Sequence, residues 1–382
     1  MPGITHSQFK KHWLDAWHVN HSANRDYDFI DGLRGVAILM VVICHHFYVN
    51  PKSGPATLFA GALIEAGGGG VQLFFTLSGF LISWPFWKRK FAQSAIVVPP
   101  GYYRRRFWKI YPPLALSLVV FTPFYVLIHH DWSYIALAGQ WLAGIPFLLP
   151  VSGKLNPVMW TLVIEVQFYA VLPLIFLMLK KVSPKACLWV VTSLFLLVPV
   201  SVQILAGWHP TFYPEINSYF PSGLDSFCLG VLLAGLENMG MVKKSWARLG
   251  ILGVALWLLA LLGLAWNIAH PSGESSLYYQ GLGWVEKIAS GCLLGYIANP
   301  QHPVARWLCT PVLRWCGIIS YEWYLIHQPV TLWAREMFGP ADGSFLKYAG
   351  IVGGSFIFSL AAAALVYRYY SLPILKFGRT GK

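Results

Sequence analysis

Ten stretches of about twenty predominantly apolar residues recur along the chain, near 30–48, 68–87, 108–128, 158–179, 187–206, 224–239, 249–268, 281–298, 316–336 and 346–370. A helix needs about 20 such residues to cross the hydrocarbon of a bilayer, and inside that hydrocarbon every backbone N–H and C=O must be satisfied within the protein. The pattern therefore predicts an all-α fold, a polytopic transmembrane helix bundle of about ten spans. A further apolar piece, 134–150, is broken by Gly139, Gly144 and Pro146 and reads either as a re-entrant or interfacial segment or as one more crossing. Only 11% of the 382 residues are charged while 56% are hydrophobic, which excludes a soluble enzyme on a single anchor.

The formal net charge of +13 does not point to nucleic acid, because the basic residues lie in the short gaps between apolar runs, where they act as topology signals. With ten crossings, one side of the membrane receives the basic clusters around 88–109, 180–185, 243–248, 306–314 and 376–382, and the other only Lys52, Lys154, Arg335 and Lys347. That asymmetry predicts that both termini are cytoplasmic, with 1–28 an N-terminal tail, 29–370 the membrane domain and 371–382 a C-terminal tail. Counting 134–150 as a crossing would send the later basic loops outside. The six cysteines show no CxxC and no paired framework, so free thiols and no metal site are expected.

The first run, FIDGLRGVAILMVVICHHFY, carries Arg34 near one end and His45 and His46 near the other. Arg34 and His45 are eleven residues apart, about 16 Å of helical rise, and at roughly 100° per residue they return to nearly one face, whereas His46 points elsewhere. Ionisable residues inside a membrane helix are costly and face a bundle interior or a wet cavity by default. The plain alternative is that Arg34 snorkels to the headgroups and His45 sits at the interface.

With both termini inside, Arg34 lies near the cytoplasmic face and His45 in the outer half. Glu165, in WTLVIEVQFY, lies about 10 Å below the outer end of its span, a depth like that of His45. A carboxylate there can orient an imidazole, so the two are expected to pair; a structural ion pair that only satisfies a buried charge is the competing reading. The loop KRKFAQSAIVVPPGYYRRRFWKIYPP holds seven basic residues and no acidic one. Its simplest role is topological, but Arg104, Arg105 and Arg106 among tyrosines and Trp108 also suit a nucleotide's phosphates, which guanidinium forks bind bidentately. Ser78 lies in a glycine-led run where it serves either chemistry or an interhelical hydrogen bond. The run CGIISYEWYLIHQPV brings Ser320, Tyr321, Glu322, Tyr324 and His327 onto one apolar helix, which argues for a cavity.

Taken in order, DGLRGVAILMVVICHH, GVQLFFTLSGFLIS, RRRFWKIYPP, WTLVIEVQFY, LDSFCLGVLLAG and CGIISYEWYLIHQPV resemble the motifs of the acyltransferase-3 family of integral-membrane acyltransferases, over about Asp28 to Tyr370. The resemblance implies a carbohydrate O-acetyltransferase of the bacterial cytoplasmic (inner) membrane, moving an acyl group, usually acetyl from acetyl-CoA, onto hydroxyls of envelope polysaccharide, lipopolysaccharide, peptidoglycan or a lipid-linked sugar. Acetyl-CoA would be a co-substrate, with no permanently bound cofactor. The family's arginine and histidine fall on Arg34 and His45, and its tryptophan and glutamate on Trp160 and Glu165.

Three positions depart from the family pattern. Lys109, a point charge, stands where arginine is common; Gln72 stands where aspartate is frequent; and Ser371 stands where glutamate often precedes Pro373. The resulting expectation is that Arg104, Arg105, Arg106 and Lys109 hold the donor and that His45 acts as base or brief acyl carrier, oriented by Glu165 with Arg34 nearby. Ser78, Trp160, Tyr324 and His327 are unranked donors for the developing oxyanion. The rival class is a transporter or flippase of a glycolipid or small solute, which a polar-lined bundle would also serve.

Overall fold

The computed structural model describes residues 28–46, 61, 64, 66–148, 155–208, 220–269, 275–339 and 345–380. The predicted N-terminal tail, 1–28, lies outside them except for Asp28. Among the described residues all regular structure is helical: α1 Asp28–His46, α2 Gly69–Phe91, α3 Tyr102–His129, α4 Ser133–Leu142, α5 Trp160–Met178, α6 Pro184–Trp208, α7 Phe220–Asn238, α8 Ala247–Ala269, α9 Ser275–Leu293, α10 Pro303–Leu308, α11 Pro311–Ile318, α12 Ser320–Phe338, α13 Phe345–Val366 and α14 Leu372–Thr380.

The described parts of the ten predicted apolar runs are helical, with 316–336 divided between α11 and α12 at Ile319, but only six described stretches combine the length and apolarity of a crossing: Asp28–His46, Ala66–Phe91, Tyr102–His129, Pro157–Met178, Lys244–Leu264 and Leu346–Arg379. The structure thus supports six spans where the sequence counts ten. Part of the difference is physical, since α9 carries Glu286 and Lys287 and α12 carries Glu322, His327 and Arg335, polar groups that lower the apolarity of helices packed inside the bundle. Large apolar side chains such as Val119, Leu127, Leu197, Leu262 and Ile357 are exposed on the outside, as lipid contact requires.

The broken segment 134–150 forms α4, only ten residues long, about 15 Å and so half the depth of a bilayer core. Tyr134 stacks on Tyr125 of α3 at 5.4 Å, and Gln167 of α5 donates to the Phe147 carbonyl at 3.0 Å. Its described part lies against α3 and α5 without crossing.

The helix α1 sits at the centre, packed on α2, α11, α12 and α13. Its acidic first turn, Asp28 and Asp31, complements the helix dipole. Contact with α11 is backbone to backbone: a Cβ at Gly317 would lie 1.8 Å from the Asp31 carbonyl oxygen, and one at Gly35 2.0 Å from that of Leu313. Only glycine permits this approach, the small-residue packing used by membrane helices, which lack a hydrophobic drive between them. On the other flank Phe227 of α7 stacks on Phe75 at 4.8 Å and on Phe168 at 4.2 Å, joining α2, α5 and α7 in one apolar core. Gln72, at the position where the resemblance expects aspartate, accepts from the Ser226 hydroxyl at 2.5 Å, and Asp225 beside it pairs with Lys287 at 2.5 Å. All six cysteines are free thiols.

At the C-terminus the predicted tail, 371–382, is helical through Thr380. A π-helical turn, Tyr367–Ser371, redirects the chain from α13 into α14, which packs on α3.

Candidate active site

Two neighbouring cavities share lining residues from α1, α3 and α12. The outer one, the mouth, has a volume of about 310 Å³ and is lined by Asp31, Arg34, Arg106, Lys109, Glu322 and Arg379, among others. The inner one, about 60 Å³, is bounded by Arg34, Ser78, Lys109, Glu165, Tyr169 and Tyr324. Arg34, Lys109 and Tyr321, the neck residues, line both.

Arg34 is held by α11 and α12. Its Nε donates to the Gly317 carbonyl at 3.3 Å, its Nη2 to the Ser320 hydroxyl at 2.8 Å, and its guanidinium lies 5.9 Å from the centre of the Phe74 ring. The snorkelling alternative is therefore excluded, because the charge is fixed toward the bundle interior. Proline at 112 and 113 in α3 removes two backbone donors near Lys109, and the Tyr321 hydroxyl donates to the neighbouring Ile110 carbonyl at 2.8 Å.

The structure does not bring Glu165 to His45. The carboxylate accepts from the Ser78 hydroxyl at 3.1 Å and from the Tyr169 hydroxyl, one turn further along the same helix. Similar depth was the basis for expecting the pair, but depth leaves rotation undetermined: Glu165 faces α2 and the inner cavity. His45 instead turns to α12, where its Nδ1 lies 2.9 Å from Nε2 of His327.

This histidine pair fixes its own tautomers. The Nδ1 of His327 lies 3.0 Å from the Trp323 carbonyl, which can only accept, so that nitrogen carries a proton. In a neutral ring Nε2 of His327 is then an acceptor, His45 donates to it through Nδ1, and the lone pair of His45 falls on Nε2. His46, fully buried, is committed to structure: its Nδ1 faces the Val42 carbonyl at 3.0 Å and its Nε2 the Thr331 hydroxyl at 3.0 Å. Arg335 donates to the His45 carbonyl at 3.1 Å, capping the C-terminus of α1.

The four oxyanion candidates have other duties. The Ser78 proton goes to Glu165; the Tyr324 hydroxyl donates to the Val158 carbonyl at 2.9 Å and accepts from Thr161 at 2.9 Å; both His327 nitrogens are engaged; and Trp160 is 39% exposed, edge-on to Phe75 at 6.4 Å, outside the inner cavity's lining. Tyr324 and Phe74 instead pack edge to face at 6.5 Å, and Tyr324 lies 5.7 Å from the His327 ring, so the contacts run from Arg34 through Phe74, Tyr324 and His327 to His45.

Nor does the triple arginine act as a unit. Arg104 and Arg105 are exposed, donating to the carbonyls of Arg379 at 3.1 Å and Pro100 at 2.6 Å. Only Arg106 turns inward, its guanidinium near the ring faces of Tyr102 at 5.7 Å and Tyr169 at 5.3 Å, joining Lys109 three residues on. Successive helical positions point about 100° apart, so three in a row cannot share one cavity. Two contributors escaped the sequence reading. Tyr169 was legible in principle, being four residues after Glu165 and thus above it on the helix; Arg379 sits in what reads as a tail.

The profile of the Acyltransferase domain family matches residues 27–368. Among characterised proteins, the chain is 25% identical to the acyltransferase MdmB of Streptomyces mycarofaciens, over 88% of this chain and 87% of that protein. It is 27% identical to the peptidoglycan O-acetyltransferase OatA of Listeria monocytogenes, over 91% of this chain and 56% of that one, and 25% identical to a putative O-acetyltransferase of Staphylococcus aureus, over 91% and 57%. The chain thus spans little more than half the length of the latter two. No solved structure matches. With a family match over nearly its whole length, six ordered motifs and a polar site inside a bundle of apolar helices, the chain belongs to the acyltransferase-3 family of integral-membrane acyltransferases.

Proposed function

We propose that the protein transfers an acetyl group from acetyl-CoA, bound from the cytoplasm at the mouth, to a hydroxyl of a cell-envelope carbohydrate or lipid-linked sugar that approaches His45 from the outer side of the bacterial cytoplasmic membrane. The names of the O-acetyltransferase relatives support the group and the reaction. The charge asymmetry of the loops supports the orientation. The transport reading is set aside because the family to which the chain belongs is one of acyltransferases.

The observation that carries the proposal is the His45–His327 hydrogen bond, with His327 anchored on the Trp323 carbonyl. It holds the His45 ring and directs its basic Nε2 away from the pair, the arrangement a general base needs. The role expected of Glu165 passes to His327, a positioning residue. In the reaction His45 Nε2 takes the proton of the acceptor hydroxyl as its oxygen attacks the thioester carbonyl. The C–S bond then breaks, and the departing thiolate takes the proton from His45 to leave CoA and the acetyl ester. Arg34 and Lys109, the cations of the neck, bind the donor and guide its pantetheine arm toward the histidines.

The test is His45→Ala in membranes supplied with labelled acetyl-CoA and envelope glycan. Loss of transfer is expected with the protein still inserted; transfer at the parent rate removes His45 from the chemistry.

A further inference from the structure

The mouth draws its cations from three helices far apart in sequence: Arg34 from α1, Arg106 and Lys109 from α3, and Arg379 from α14. Four positive groups line it against two carboxyls, Asp31 and Glu322. Arg106 and Arg379 line the same cavity, so two guanidinium groups share its wall. A cavity lined by more basic side chains than carboxyls favours an anionic ligand.

The placement of Arg379 is built by packing. A Cβ at Gly378 would lie 2.6 Å from the Trp108 indole, so glycine lets α14 settle flat against that ring. Phe377 meets Trp108 edge-on at 5.5 Å, and Arg104 donates to the Arg379 carbonyl at 3.1 Å. Three contacts on consecutive residues of α14 and on α3 thus fix the helix that carries the guanidinium. Arg104, exposed and turned from the cavity, serves the site only through this contact.

We infer that the C-terminal helix α14 is a wall of the donor site and that Arg379 holds the phosphates of the donor's nucleoside diphosphate, opposite Arg106 and Lys109. A guanidinium fork presents two parallel N–H donors to phosphate oxygens, which a lysine cannot do. The inference rests on the reading of the donor as acetyl-CoA and adds a residue to it from a segment outside the six family motifs.

The experiment uses the full chain, purified in detergent, with Arg379→Ala, Arg379→Lys and Arg34→Ala beside the parent. Binding of labelled CoA, the KM and kcat for acetyl-CoA, and thermal unfolding without ligand are measured. Arg379→Ala is expected to weaken CoA binding and raise KM about tenfold or more, the cost of one charge-assisted contact. Its effect falls on KM rather than kcat, the unliganded unfolding temperature stays unchanged, and Arg379→Lys recovers part of the affinity. CoA affinity equal to the parent's in Arg379→Ala, while Arg34→Ala weakens it, overturns the inference and spares the reading of the donor. A lowered unfolding temperature with kcat and KM damaged together makes α14 merely structural and also overturns it. A parent protein that neither binds CoA nor uses acetyl-CoA overturns both.

Discussion

The two ends of α1 hold their polar residues in opposite ways. At the Arg34 end, side chains from α1, α3, α5, α12 and α14 line two neighbouring cavities. At the His45 end, the polar groups are turned on one another: His45 on His327, His46 on Thr331, and Arg335 on the helix carbonyls. In the proposed reaction one end would bind the donor and the other hold the base still. The same helix would then separate donor binding from proton transfer by about three turns, and function at each end is testable without the other.

The largest effect is expected where the contrast is sharpest, between adjacent histidines. Replacing His45 by alanine removes the proposed base and is expected to lower kcat by a factor on the order of 10² to 10⁴. His46→Ala leaves Thr331 and the Val42 carbonyl to re-pair, and chiefly lowers the unfolding temperature in detergent. Equal loss of kcat in both would erase the distinction between the two residues.

Next comes Arg34→Ala at the opposite end. It removes two hydrogen bonds and one neck cation, so KM for acetyl-CoA should rise roughly 10- to 100-fold, given ~1.5–3 kcal/mol per charge-assisted contact. Isotherms of labelled CoA would show whether the loss lies in binding; a change in kcat alone would transfer Arg34 to the chemical step.

A smaller effect separates two substitutions of His327. Glutamine there can still accept from His45 Nδ1 through its side-chain carbonyl, whereas leucine cannot. We expect His327→Leu to reduce kcat by about tenfold or more and His327→Gln to restore much of it, following the ~1 kcal/mol or more of one oriented hydrogen bond. Identical rates in the two variants would show that the pair contributes packing only. The smallest change is predicted for Arg105→Ala, whose exposed guanidinium points to Pro100: KM for acetyl-CoA should stay within about twofold of the parent, in line with the small value of exposed charges.

Much of the fold was legible because the bilayer restricts the solutions. Apolar runs of span length can only be helices there, and the described part of each predicted run is helical. The count was less secure, since α9 and α12 carry ionisable groups that one chain cannot by itself assign to a lipid face or an interior one. The shared face of Arg34 and His45 follows from their spacing on one helix, where geometry is fixed by the 3.6-residue period. Glu165, the triple arginine and the four oxyanion candidates were found as residue types, but their partners lie on other helices, and sequence contains no rotation of one helix against another.

What the sequence determined by itself, then, is the helical class, the family, and the shared face of Arg34 and His45, because backbone hydrogen bonding in hydrocarbon and helical periodicity are local rules. Tertiary structure alone decided that His45 turns to His327 rather than Glu165, that Arg106 and not Arg104 or Arg105 lines the mouth, and that an apparent tail supplies Arg379. The reason is that the orientation of each helix is set by where glycine allows close approach, of backbone to backbone at Gly317 against Asp31 and of backbone to ring at Gly378 against Trp108, and those meetings join residues far apart in the chain.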